Sequence, residues 1–498
     1  MSKLTLLAAL PGALLAACSL APRYQPPAPP EVVSYKEMGS WVPAVPSQAQ
    51  SDRDWWMAFG DPSLATLERS LEQSNPDLRA ALARFQQAQA IAGRARSNLF
   101  PTVGADVSAA RQRGSANAPL ASVLGGAGTY DDFLATLNLS WEIDLFGRLR
   151  NTAAAAGAQA QASGADLAAL RLSLQAELAS DYFLLRGAEA TERVLTDAIG
   201  NYDHAYELTH DRYQQGTAAA TDVEQADTQR QTARAQLAAT QLQRAQLEHA
   251  IAVLLGEVPS RFSLAAGQLA GAPPPIAVGL PSTLLQRRPD VAAAERRMAA
   301  ANAQIGVARA AWFPVFSLAG AAGYESIAAG SWLSAPSRLW SIGPSMQVPL
   351  LDAGARAAVN RQARAAYDET VDNYRKVTLT AYQEVEDNLA GLHYLADQLR
   401  ADRAATASAQ SAAYHADQRY DTGVADYIEV TTTHNAALQA QRDTIDVRVA
   451  QLNAAVALIR ATGGGWTADT GGARVAQRQP VQRQADRSVG QAMESGHE

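Results

Sequence analysis

The sequence predicts a mainly α-helical chain with a membrane-inserted β part, built from two copies of one plan. Three observations predict it: an internal repeat, very long proline-free stretches, and short segments whose apolar residues recur at every second position. The repeat shows first in Asn75-Pro76-Asp77, which leads to Leu99-Phe100-Pro101, and in Arg288-Pro289-Asp290, which leads to Trp312-Phe313-Pro314. The proline pairs are 25 residues apart in each copy, and the copies are offset by 213. Further on, Gly147 matches Gly354, and Arg212-Tyr213-Gln214-Gln215-Gly216 matches Arg419-Tyr420-Asp421-Thr422-Gly423, both offset by 207. Shared landmarks at a fixed period mean that one structural unit occurs twice.

Each copy opens with a helix that stops near Phe100 or Phe313, because the following proline disfavours the α conformation before it. Alternating segments come next. Phe133, Ala135, Leu137, Leu139, Trp141 and Ile143 interleave with Leu134, Thr136, Asn138, Ser140 and Glu142; Trp340, Ile342, Met346, Val348 and Leu350 interleave with Ser341, Gly343, Ser345 and Gln347. Val103 to Ala109 and Phe316 to Tyr324 alternate more weakly. Period two marks half-buried strands, and about ten residues is the length a tilted strand needs to cross a bilayer.

Beyond each hairpin no proline occurs from Arg148 to Glu257, or between Leu350 and Gly465. The first long helix runs to Tyr213 and the second from Ala355 to Tyr420, each roughly 100 Å at 1.5 Å per residue. Gly216 and Gly423 stand where a helix C-cap glycine belongs. A return helix follows in each copy. Ile445, Val449, Leu452, Val456 and Ile459 follow a coiled-coil spacing, as do Leu247, Ile251 and Leu254.

The ends differ from this body. Lys3, the apolar run Leu4 to Ala17 and Leu15-Ala16-Ala17-Cys18 read as a secretory signal too short to span a bilayer. Cys18 is the only cysteine. The pattern resembles a bacterial lipobox, which implies cleavage before Cys18 and a covalent lipid on it; Ser19 resembles the sorting residue of outer-membrane lipoproteins. The expected division is a signal peptide over 1–17, a lipid anchor and Pro-rich extended segment over 18–50, a first repeat over 51–278, a second over 279–466 and a disordered tail over 467–498. The hairpins fall at 102–143 and 315–350, and the helical tips at 214–220 and 421–427. Lys+Arg 42 against Asp+Glu 49 gives a net charge of −7, which argues against nucleic acid as a partner.

Four membrane-length strands cannot close a barrel, since the smallest closed ones have about eight. Open strand edges in lipid leave backbone groups unpaired at several kcal/mol each. Association is therefore forced: a dimer supplies eight strands and a trimer twelve.

Trp55-Trp56-x-x-Phe59-x-Asp61-Pro62-x-Leu64, the string Gly279-Leu280-Pro281-Ser282-x-Leu284-Leu285-x-Arg287-Arg288-Pro289-Asp290-Val291, the paired Arg-Tyr-x-x-Gly turns and Gly463-Gly464-Gly465-Trp466 together resemble the TolC-like outer-membrane efflux factors. The resemblance covers residues 1 to about 466 and is nearest to the lipoprotein (NodT-like) subgroup that partners resistance-nodulation-division pumps. It implies a homotrimer with a twelve-stranded barrel in the outer membrane and a twelve-helix periplasmic tunnel. It further implies a periplasmic adaptor and an inner-membrane pump as partners, a passive role in expelling drugs, toxic solutes or metal ions, and no enzymatic activity.

On that resemblance the tips Gln215-Gly216-Thr217 and Thr422-Gly423-Val424 cap their helices and meet the adaptor. Asp417 and Asp421 share one helical face at i,i+4. Either they are ordinary solvated residues, or threefold symmetry gathers them into a carboxylate ring that closes the periplasmic mouth. Trp141, Trp340 and Trp332 are candidates for an interfacial aromatic belt. The seven histidines show no metal-ligand spacing, and no catalytic motif is present. A periplasmic coiled-coil adaptor is the alternative from another class, but it needs one helical hairpin and compact β domains.

Overall fold

The computed structural model describes residues 19–27, 35–37, 54–115, 117, 128–276 and 287–464. The expected signal 1–17, Cys18, the tail 467–498, most of the 28–53 stretch and residues 279–286 of the signature string lie outside them.

The described helices are α1 (Pro62–Ser74), α2 (Pro76–Ser97), α3 (Arg148–Gln214), α4 (Ala220–Leu254), α5 (Pro289–Ala310), α6 (Ala355–Asp421) and α7 (Tyr427–Ala461). The strands are β1 (Thr102–Arg113), β2 (Thr129–Ile143), β3 (Val315–Ser326) and β4 (Arg338–Gln347). Most matched elements have equal lengths: 22 residues for α2 and α5, 12 for β1 and β3, 67 for α3 and α6, and 35 for α4 and α7, while β2 has 15 and β4 has 10. Helices α2 and α5 end three residues before the expected phenylalanines. A single turn then closes, with Phe100 N donating to Ser97 O at 3.0 Å and Phe313 N to Ala310 O at 3.0 Å. β2 begins four residues before the alternating run, and β4 ends at Gln347, short of the expected Leu350.

Two compact units result, each drawing on both repeats. The first takes its described residues from Met1–Pro30, Leu82–Ser163 and Ala293–Thr378. It holds one antiparallel sheet in the order β1-β2-β3-β4. The segment 19–27 is tied to its helices: Arg309 donates to Leu20 O at 3.2 Å, Asn302 to Pro22 O at 2.9 Å, and the Tyr24 hydroxyl to the Glu295 carboxylate.

The second unit takes its described residues from Glu31–Ala81, Gly164–Ala292 and Leu379–Glu498. Its core gathers Trp55, Trp56, Leu64, Leu71, Leu178, Phe183, Ile251, Leu452 and Val456. The Trp-Trp…Asp-Pro-x-Leu motif is explained here. Trp56 and Leu64 are fully buried, and Asp61 caps α1 by accepting from Ser63 N and Leu64 N while Pro62 occupies the first turn. The other Asp61 oxygen accepts from the Tyr182 hydroxyl at 2.6 Å.

Quasi-equivalent positions close each return helix by different chemistry. The Asn75 amide donates to Leu254 O, the last residue of α4, at 2.7 Å. Its repeat mate Arg288 donates to Ala461 O, the last residue of α7, at 3.1 Å. Arg288, buried, also pairs with Asp290 at 2.7 Å and Glu384 at 2.6 Å. Gly463 follows with φ +90°, and a Cβ there would stand 2.1 Å from Arg287 O, so only glycine fits.

A buried charge network holds the loop 262–276. Arg186 and Glu189 pair at 2.7 Å with both side chains nearly inaccessible. Arg186 donates to Ala265 O at 2.9 Å, and Glu189 accepts from Gly267 N at 3.0 Å. Nearby acids are less well matched. Burial, with Glu72 beside it, holds the Glu68 carboxyl well above the usual range, and burial with Glu177 pushes Asp181 up to about 6.

The folded chain therefore keeps protons that the unfolded chain releases, so its stability falls as pH rises above the ordinary carboxyl range. For Asp181 this loss is complete near pH 6. Thermal denaturation from pH 4 to 8 is expected to show a midpoint that declines with pH, and E68Q with D181N to flatten the decline. An unchanged slope in that double variant would show that neither carboxyl is held protonated.

Candidate functional site

The sheet joins four strands so that one face is apolar over most of its rows, giving way to Arg111–Asp131 and Arg113–Thr129 at the far end of β1 and β2. Val103 pairs with Leu139, Ala105 with Leu137 and Val107 with Ala135. The same row continues through Trp141–Leu318, Leu137–Ala322 and Ile143–Phe316. It ends with Phe316–Met346, Gly320–Ile342 and Ala322–Trp340. The opposite face carries Asp106, Thr136, Asn138, Ser140, Glu142, Ser317, Ser341 and Ser345. The apolar row is largely exposed in the single chain, with Trp340 78% and Val107 71% accessible. A contiguous exposed apolar face marks a surface meant for lipid or another protein.

Both outer strands are open. β1 and β4 are the edges of the sheet, and Pro344 lies in β4, where a residue without an N–H is tolerated. Aromatic residues surround the sheet: Phe133 packs on Trp332 at 5.6 Å, Phe146 stacks on Phe313 at 4.6 Å, and Trp141 Nε1 donates to Leu99 O at 3.1 Å. No helix among the described residues is long and apolar enough to cross a membrane.

In the second unit the helical tips close by one geometry. Gly216 has φ +77° and Gly423 φ +75°, the left-handed region that costs other L-residues roughly 1–2 kcal/mol. Thr217 N donates to Arg212 O and Val424 N to Arg419 O, each at 2.8 Å. Gly216 N and Gly423 N donate to Tyr213 O and Tyr420 O at 2.9 and 3.0 Å. These are the paired bonds of a Schellman cap. Gln215, Thr217, Thr422 and Val424 are exposed.

Beneath the caps the copies diverge. Tyr420 is 9% exposed, whereas its mate Tyr213 is 48% exposed. The Arg212 guanidinium lies 4.3 Å from the centroid of the Tyr420 ring, and the Tyr420 hydroxyl is 3.3 Å from Thr209 Oγ1. Arg419 instead pairs with Glu429 at 2.7 Å on the surface. One landmark thus locks two hairpins together in one copy and braces a single hairpin in the other.

Asp417 and Asp421 do not share a partner. Asp417 Oδ1 lies 2.8 Å from His434 Nε2, and the His434 ring meets Tyr202 edge-on at 6.4 Å. Asp421 is exposed and makes no ion pair among the described residues. His434 lies on α7, so no spacing along α6 pairs it with Asp417. The available signal was that Asp417 precedes the turn 422–426 by five residues and His434 follows it by eight, on the facing arms of one antiparallel helical hairpin. Among the described residues no cluster of three or more His, Cys, Asp or Glu is placed to hold a metal.

A sheet apolar on one face and open at both edges, in a chain with two matched long helical hairpins, defines a channel component of an outer membrane. The chain belongs to the outer membrane efflux protein family, which its residues 67–257 and 280–464 match. It is 34% identical over 478 residues to the probable efflux pump outer membrane protein TtgC of Pseudomonas putida, covering 95% of this chain and 97% of that one. It is 30% identical over 472 residues to the probable outer membrane lipoprotein SilC of Salmonella typhimurium, covering 94% of this chain and 100% of that one. The solved outer-membrane channel CmeC of Campylobacter jejuni superposes with a TM-score of 0.86 at 26% identity, over 90% of this chain and 96% of that one.

The divergence beneath the tips is testable. A buried cation–π contact contributes about 1 kcal/mol, so Arg212→Ala is expected to speed amide exchange over residues 416–430 roughly fivefold. Arg419→Ala removes an exposed pair and should change it little. Equal effects would contradict the asymmetry.

Proposed function

We propose that the chain is the passive exit duct of a three-part export system. Three copies would close one twelve-stranded barrel in the outer membrane and continue it as a twelve-helix tunnel through the periplasm. The observation that carries this reading is the four-stranded sheet, apolar along one face and unpaired at both edges. The names of the relatives support efflux as the task, and that of SilC supports a covalent lipid, here assigned to Cys18.

The remaining parts follow from the tips. Gln215, Gly216, Thr217, Thr422, Gly423 and Val424 form the surface offered to a periplasmic adaptor, which in turn joins an inner-membrane resistance-nodulation-division pump. Asp417 and Asp421 form the gate. Threefold symmetry brings three exposed Asp421 side chains towards the axis, and the His434 bond holds each Asp417 in a fixed orientation behind them. No reaction is assigned to the chain, because selection of drugs, toxic solutes or metal ions rests with the pump.

Two measurements test the assignment. Asp417→Ala with Asp421→Ala is expected to raise single-channel conductance in a planar bilayer, and unchanged conductance removes both residues from the gate. Valine at Gly216 and Gly423 is expected to lower efflux and adaptor crosslinking; full efflux by an intact oligomer rejects the docking role.

A further inference from the structure

A cavity of about 450 Å³ lies between α3, α7 and the loop 262–276, and no tip or gate residue lines it. Arg193 and Arg448 line it, with Gln268 and Thr444 beside them. Each guanidinium is oriented by the loop backbone: Arg193 donates to Gly267 O at 3.1 Å, and Arg448 Nε donates to Ala270 O at 2.9 Å. One bond each leaves most of their ten N–H donors unused.

These arginines lack the partners that others in the chain have. Arg186, Arg230, Arg244, Arg288 and Arg356 all pair with carboxylates. Arg193 and Arg448 pair with none among the described residues, nor does Arg403 of α6. Burial lowers the pKa of Arg448, and the charge of Arg403 adds to the effect. In a chain of net charge −7, two arginines without carboxylate partners lining one cavity are an uncompensated positive site. The loop that aims them is itself fixed by the buried Arg186–Glu189 pair, so their placement is preorganised.

We propose that Arg193 and Arg448 form a receptor for an oxyanion, a carboxylate or phosphate group, at the loop 262–276. The planar fork of a guanidinium matches both oxygens of such a group. Gln268 adds a neutral amide donor to the same lining. The anion is either free in solution or borne on a larger acidic partner.

The test is calorimetric titration of the full-length protein in detergent, at fixed ionic strength, with inorganic phosphate and with a tri-glutamate peptide. Saturable binding of either probe is expected, weakened at least about tenfold in R193Q with R448Q. Saturation by tri-glutamate alone identifies a polymer- or protein-borne carboxylate, and saturation by phosphate identifies a free oxyanion. R193K with R448K keeps the charge but loses the fork. It is expected to keep the wild-type thermal midpoint and still bind more weakly, which separates recognition from folding. Absence of saturation by both probes below about 10 mM, or equal affinity in the glutamine variant, overturns the proposal.

Discussion

Unpaired backbone groups along β1 and β4 are the constraint on which the rest of the structure depends. A polar edge beside an apolar face is stable neither in water nor in lipid: water penalises the exposed valines, leucines and tryptophans, and lipid penalises every unpaired N–H and C=O. One chain cannot relieve both, because its sheet stops at four strands. Other copies can relieve them, by pairing the edges and leaving the apolar rows outward. The small polar residues on the opposite face, such as Ser140, Ser317 and Ser341, then line an interior where water is welcome.

The second unit obeys a different logic, in which duplication preserves geometry and releases chemistry. Asn75 and Arg288 bind the last carbonyl of their return helices at matched positions. The first uses a neutral amide; the second uses a cation that also gathers Asp290 and Glu384. The Arg-Tyr pairs at the tips diverge in the same way, with Tyr420 buried under Arg212 and Tyr213 left in solvent. Each repeat kept its backbone plan while its side chains took separate tasks.

Much of this was legible in the sequence because periodicity and punctuation are local. The prolines after Phe100 and Phe313, the glycines at 216 and 423, and the alternation in Phe133–Ile143 mark their elements without any tertiary information. Other features depend on partners distant in the chain. Gly463-Gly464 stands in the sequence only as part of a terminal signature, yet Gly463 is required by the approach of Arg287 O, 176 positions away. The Arg-Arg-Pro-Asp string served only as a family signature, whereas Arg288 bridges three elements. Asp417 read as one of a pair with Asp421, but its bonded partner is His434, across the turn. Spacing along one helix cannot reveal a contact made between two.

The account joins these layers into one claim: the edges of one sheet are completed by copies of the same chain. Cysteine pairs placed along β1 and β4, in a chain whose only native cysteine is Cys18, measure this directly in outer-membrane fractions. The account predicts disulfides between subunits at one consistent register, giving a covalent species of three chains. Crosslinks confined within a single chain, or a water-soluble monomer carrying the intact sheet, would contradict it.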